Sequence, residues 1–404
     1  MPKVDVVVVG AGIIGLSIAR ELLERRPGLG LVVVDKEDRV ASHQSGRNSG
    51  VIHSGVYYRP GTLKARLATT GRALLVDFCR AEGIAYEMTG KVIVAADDRE
   101  LSTLDELRRR GTSNGVRLQQ LDLGRLREVE PHAFGVAGLH VHDAGVVDFA
   151  QVAEALARRL VERGAELRLG WPVVELRETR ADVEVISEHG ELSAALVVNA
   201  AGLFADRLTP SADGGRRDVR IVPFRGEYRE VFAERAHLVR ALIYPVPDPD
   251  LPFLGVHVSR EIDGRVRVGP NAILALAREG YSWADIDRRE LIDLLRFPGF
   301  PRLARHHWRS GVAELARSLS REAIARSLRR IVPEIRAEDL GDRTSGVRAQ
   351  AVDDRGRLID DFVFRDSART INVVNAPSPG ATASLAIGRE IAVRALERLD
   401  GDAA

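Results

Sequence analysis

The sequence predicts a protein of mixed α/β and α+β class: a discontinuous Rossmann domain with an inserted antiparallel-sheet substrate domain. Three observations carry this. A short apolar strand over 4–9 runs into Gly10-Ala11-Gly12-Ile13-Ile14-Gly15 and a helix, and a second strand over 31–34 ends on Asp35. Two more strand-to-glycine-to-helix junctions follow, at Asn199-Ala200-Ala201-Gly202 and at Pro379-Gly380-Ala381-Thr382. From about residue 219 the pattern changes to short alternating segments separated by prolines, as antiparallel pairing requires.

The first of these units is a dinucleotide fingerprint. Gly10 makes the tight turn, Gly12 lets a pyrophosphate approach the backbone, and Gly15 lets the helix pack on the sheet. The helix N-terminus at Ile13 and Ile14 offers N–H groups and a dipole to phosphates. Asp35, with Lys36 beside it, is placed to accept hydrogen bonds from a ribose. The fingerprint alone does not separate NAD from FAD.

Residues 42–58 are polar, glycine-containing and too irregular for a strand or a long helix. Periodicity then predicts a helix over 63–82, a strand over 91–95, short charged helices over 101–111 and 119–129, and an amphipathic helix over 150–163. Segments 167–171, 173–176, 182–187 and 191–198 read as strands. The antiparallel layer comprises 228–231, 241–244, 254–258 and 265–268; 283–331 is helical and arginine-rich; 370–374 is a strand and 384–399 a closing helix. The nucleotide domain therefore takes 1–85, 145–215 and 345–404, and the substrate domain 86–144 and 216–344.

A chain of 404 residues suffices for two domains with a sizeable core. A net charge of +1 gives no case for nucleic-acid binding. Cys79 is the only cysteine, so intramolecular disulfides and cysteine metal clusters are excluded, and its apolar helical setting marks a core thiol. No metal site is expected. The first strand begins too early to leave a signal peptide, and no run approaches the ~20 apolar residues of a membrane span. A cytoplasmic protein is expected, at most attached to a membrane face. Two readings stand for 296–331, where Phe297, Phe300 and Trp308 alternate with Arg296, Arg302, Arg305, Arg309, Arg317 and Arg321. It is a solvated helical face, or a basic aromatic surface lying on an anionic membrane.

The C-terminal junction favours FAD. In glutathione-reductase-type flavoproteins a helix N-terminus in this position points at the flavin ring and stabilises negative charge at its N1/O2 edge. Pro379, Gly380, Ala381 and Thr382 are the candidates.

The run His43-Gln44-Ser45-Gly46-Arg47-Asn48-Ser49-Gly50-Val51-Ile52-His53-Ser54-Gly55-Val56-Tyr57-Tyr58 resembles the signature of L-2-hydroxyglutarate oxidases/dehydrogenases, FAD enzymes of the D-amino-acid-oxidase-like superfamily. The resemblance continues through Val222-Pro223-Phe224-Arg225-Gly226-Glu227-Tyr228, Tyr244-Pro245-Val246-Pro247, Pro252-Phe253-Leu254-Gly255-Val256-His257, Val268-Gly269-Pro270-Asn271-Ala272, Gly346-Val347-Arg348-Ala349-Gln350 and the segment from Asn375 to Gly388. It spans essentially the whole chain; Asp35 stands where a glutamate is more usual. The resemblance implies oxidation of (S)-2-hydroxyglutarate to 2-oxoglutarate with FAD as hydride acceptor, and electrons passing on to oxygen or a membrane quinone.

Such a substrate needs a base for its hydroxyl proton, and histidine suits that at neutral pH. His53 and His257 are the candidates, with a slight preference for His53. Two carboxylates need charge-assisted partners, best a guanidinium: Arg348 first, then Arg225 and Tyr244, with Tyr57 and Tyr58 either at the pocket mouth or packed as aromatic core. Ser42, Gln44, Ser45, Asn48, Ser49 and Gly50 are expected at the cofactor, as are Val174 through its backbone, Ala200, Ala201, Gly202 and Gly346. Attachment of the flavin to histidine or tyrosine stays open. The competing readings are an amino-acid or sarcosine-type amine oxidase on the same fold, and a flavin-binding scaffold without turnover.

Overall fold

The first strand (Lys3–Val9) is flanked by partners far apart in sequence. It pairs in parallel with Leu31–Val34 on one side and with Gly190–Asn199 on the other, and the latter pairs in parallel with Thr370–Asn375. Strands that must be buried on both faces read as unbroken valine runs, and Val6, Val7 and Val8 are wholly buried. The start, middle and end of the chain thus lie side by side in one eight-stranded sheet. The helices Ile13–Arg25, Leu63–Glu82 and Gly380–Gly401 share one hydrophobic cluster with it. Thr62 caps the second of these through Ala65 N–H (3.2 Å), and Gly83, in left-handed conformation, ends it. Cys79 is buried in the cluster, and burial pushes its thiol up to about 11. The computed structural model describes residues 3–209, 218–248 and 254–401.

The inserted layer is a nine-stranded sheet. Its spine is Val219–Val231, paired along its length with Leu340–Asp353. A boundary drawn at 345 therefore falls inside a strand. The sheet is not wholly antiparallel: Leu242–Pro245 pairs in parallel with Lys91–Ala95, which draws residues from 86–144 into the layer. A three-stranded sheet of Val51–Ile52, Gly145–Val147 and Tyr86–Glu87 lies between the two chain regions.

Three predicted elements differ in detail. Residues 119–129 are not one helix: Leu118–Leu121 pairs with Ala137–Val141, and a helix starts only at Leu123, capped by Asp122. Pairing with a distant strand overrides helical periodicity there. The strand expected over 167–171 ends at Arg168, because Gly170 and Trp171 turn their N–H groups to the carbonyls of Glu37 and Asp35 (both 2.7 Å). The helical segment 283–331 is three helices, Arg288–Arg296, Gly299–Leu319 and Arg321–Leu328. Pro252 and Phe253 of the quoted motif, and residues 210–215 of the expected nucleotide domain, lie outside the described residues.

Candidate active site

The two layers enclose a cavity of ≈ 800 Å³. At the first turn, a Cβ on Gly10 would overlap the Ala200 carbonyl, and one on Gly15 would overlap Gly10 O. Only glycine allows strand, turn and helix to meet this closely. Gly12, the helix N-cap, carries no side-chain cap, and Ser45 Oγ accepts from Ile13 N–H (2.9 Å). Asp35 accepts one backbone N–H on each oxygen, from Ala11 (2.6 Å) and Glu37 (2.9 Å). Burial still raises its pKa, against those two bonds. Each carboxylate oxygen keeps a lone pair for a ribose hydroxyl.

The irregular segment after Asp35 is tied down by its own side chains. Gln44 Oε1 accepts from Ala349 N–H (3.0 Å), and Asn48 bonds the carbonyls of Gln44 and Ser45 and the N–H of Gly50. A Cβ on Gly346 would overlap Arg47 O, so this segment and the long substrate-sheet strand cross at contact distance. At the C-terminal junction Gly380 N–H turns back to Pro377 O (2.8 Å), which leaves Ala381 and Thr382 as the helix-entry N–H groups facing the cavity. Thr382 Oγ1 also receives His53 N–H (3.1 Å). The histidine is thereby fixed beside the junction expected at the flavin ring.

Of the three histidines that line this cavity, His53 and His257 are the two predicted to act on substrate. His53 Nε2 lies 3.2 Å from Ser378 Oγ. His257 Nδ1 lies 2.9 Å from Gly255 O; a carbonyl only accepts, so Nδ1 carries the proton and Nε2 keeps its lone pair. His257 stacks on Tyr244 at 3.8 Å between ring centroids. Burial, first of all, and then nearby cations lower both imidazoles to about 3. Both are neutral at pH 7 and able to accept a proton. Arg348 lines the same cavity and bonds Tyr228.

Of the predicted residues, Gly15, Gly50 and Arg225 do not line the cavity. Gly15 does the packing expected of it, and Gly50 approaches Val147 O. Arg225 is a correction. Side chains alternate along Val219–Val231, so Gly226 and Tyr228 face the cavity while Arg225 points away. There it bonds Glu227 (3.2 Å) and Ser282 O (2.6 Å) and stacks under Trp283. All other predicted cofactor, substrate and catalytic residues line the cavity.

Sequence reasoning missed a charged cluster at Asp35. Glu37, His43 and Glu279 hold ligand-type atoms within 4.8 Å of one another. The Lys36 ammonium bonds both carboxylates, and His43 Nδ1 bonds Tyr281 Oη (2.5 Å). Lysine supplies the positive charge a metal would bring. Burial opposes protonation of His43, but Glu279 and Glu37 outweigh it and its pKa is raised. The only sequence signal was the acidic residue beside Asp35-Lys36. Lys64, Trp171 and Asp360 also line the cavity unpredicted.

A glycine cradle under a helix N-terminus, a buried carboxylate at the end of the second strand and a cavity of dinucleotide size define a protein of the dinucleotide-binding class. The chain belongs to the FAD dependent oxidoreductase family, whose model matches residues 5–394. Within that class it is 43% identical over 396 residues to the L-2-hydroxyglutarate dehydrogenase of Indibacter alkaliphilus, covering 98% of this chain and 99% of that protein. It is likewise 43% identical to the mitochondrial L-2-hydroxyglutarate dehydrogenase of Nematostella vectensis, covering 98% and 91%. Among solved structures, FAD-bound L-α-glycerophosphate oxidase from Mycoplasma pneumoniae superposes with a TM-score of 0.79 at 24% identity, covering 98% of this chain and 95% of that one. That likeness speaks for the fold.

Proposed function

We propose that the protein oxidises L-2-hydroxyglutarate to 2-oxoglutarate. The observation that carries the reading is the convergence of two neutral histidines and Arg348 in one cavity with the dinucleotide cradle, in a chain 43% identical to dehydrogenases named for that substrate. Bound FAD supplies the hydride acceptor. The rest falls to the chain's own residues. Arg348 presents a planar fork to one substrate carboxylate. His53, anchored to Thr382, takes the hydroxyl proton on its imidazole. His257 meets the substrate through Nε2, its ring held flat by Tyr244. Ala381 and Thr382, at the start of the closing helix, would help hold the bound flavin through their N–H groups.

Anaerobic stopped-flow mixing tests this. L-2-hydroxyglutarate is expected to bleach the flavin band, whereas its D enantiomer, glycine, sarcosine and D-alanine do not. Bleaching by an amine instead would establish an amine oxidase, and no bleaching at all a scaffold.

The electrons are read as going to oxygen or to a membrane quinone. A membrane face supports the quinone. Among the described residues no helix is long and apolar enough to cross a membrane. On the helix Gly299–Leu319, however, Trp308, Val312, Leu315 and Leu319 are 59%, 58%, 40% and 68% exposed and recur at helical spacing as one stripe. Arg309 is exposed on the same stretch, and Arg302 and Arg305 are exposed on the turns before the kink at His307. Phe297 does not contribute, being buried, and Arg317 is paired with Glu314. Attachment at the cytoplasmic membrane face follows from this reading. The holoenzyme should float with anionic vesicles, and a variant with all three arginines changed to glutamate should not; equal flotation would reject the membrane face.

A further inference from the structure

We propose that Lys91, acting through Tyr57, completes an anion-receiving pair that binds the second carboxylate of a hydroxydicarboxylate and takes up a proton as it does so. This rests on the substrate class proposed above and adds a positioning residue to it.

Four of the chain's 59 basic residues are lysines. Lys36 pairs with Glu37 and Glu279, and Lys64 with Asp360. Lys91 is different. It lies on a strand buried throughout, is itself 1% exposed, and has no carboxylate partner among the described residues. On its strand it shares a face with Ile93 and Ala95, which belong to an apolar cluster with Leu139, Val141 and Tyr244. A buried ammonium without a counter-charge is costly. Its compensation here is two ring faces: its Nζ lies 4.4 Å from the Tyr57 ring centroid and 4.6 Å from that of Tyr244. Both rings line the cavity.

The second observation is independent. Tyr57 Oη is buried and has no hydrogen-bond partner among the described residues. A buried hydroxyl is normally satisfied; this one, unpaired on a residue that lines the cavity and with a cation at its ring face, is left to donate to an arriving anion. Arg348 faces one carboxylate of the substrate, and Tyr57 with Lys91 meets the other.

The lysine also matters as a titrating group. Burial lowers Lys91 to about 7. The groups facing this region from the other elements are His53, His257, Tyr57, Tyr58, Tyr228, Tyr244, Arg348 and the Lys64–Asp360 pair. The two histidines stay neutral and burial raises the four tyrosines, so these six do not change charge near neutrality. A bound anion favours the ammonium and raises its pKa. Anion affinity is then full below the free pKa of about 7 and falls as pH rises above it, with a proton taken from solvent on binding.

The test uses FAD-loaded protein and two ligands it does not oxidise, glutarate and pentanoate, with binding read from the flavin absorbance shift. Glutarate should bind at least about tenfold more weakly at about pH 9 than at about pH 6, with proton uptake in weak buffer. K91M should lose about tenfold in glutarate affinity at the lower pH and lose the pH dependence, with pentanoate binding unchanged. Y57F removes a hydroxyl that has no internal partner, so it should fold normally and still weaken glutarate selectively. Equal losses on both ligands, wild-type binding by Y57F, or a flat native pH profile would overturn the pair. Because neither ligand turns over, these results stand apart from the activity: glutarate binding as described, without reduction by L-2-hydroxyglutarate, would refute the activity alone.

Discussion

The two halves of the cavity are built from different materials. The nucleotide half is backbone: glycine turns, helix N-termini and carbonyls brought so close that a single methyl group would collide. The substrate half is side chain: two neutral imidazoles, tyrosine rings and buried cations held by stacking and desolvation. The first half should therefore fail by steric exclusion and the second by graded loss of chemistry.

The sharpest break in this comparison is at the cradle. Gly15→Val should abolish FAD retention, since the new side chain must displace the Gly10 carbonyl; normal flavin absorbance in the purified variant would show that the cradle tolerates bulk. Next is the base. His53→Ala should slow flavin reduction about 100-fold or more with FAD content unchanged, and His257→Ala should cost less. If neither slows reduction, the proton acceptor is another group. The same step has a pH signature. A base lowered to about 3 in the protein without substrate is deprotonated at all higher pH, so kcat/KM for reduction should show no acid limb from it down to about pH 5. An acid limb centred near the ordinary histidine value would contradict the buried imidazoles. A smaller effect is expected at Arg348→Lys, where the charge stays but the planar fork is lost: KM should rise about tenfold with a lesser change in kcat. An unchanged KM would place the carboxylate elsewhere.

The same contrast decides what the sequence made legible. The Gly10–Asp35 unit was readable because backbone geometry leaves no alternative residue type at the turn, and the three junctions met in one sheet as expected. His53 and His257 were named through the family resemblance; their neutrality comes from burial, which no local pattern encodes. Arg225 was misjudged because a strand alternates, and only the fold shows that Gly226 and Tyr228 take the cavity face. Lys91 was missed for a related reason. One lysine in a valine-rich strand looks incidental until Leu242–Pro245, far along the chain, pairs beside it and brings Tyr244 to its side.

The closing segment carries a consequence for how the protein comes into being. Thr370–Asn375 inserts next to Gly190–Asn199, and the helix after it seals the cluster formed with the first helix. On the ribosome, this strand and helix therefore emerge long after the strand and the first helix that they complete. Every earlier nascent chain exposes the apolar flank of the first helix and the unpaired edge of a central strand. Such surfaces are slow to find their distant partners and prone to aggregate.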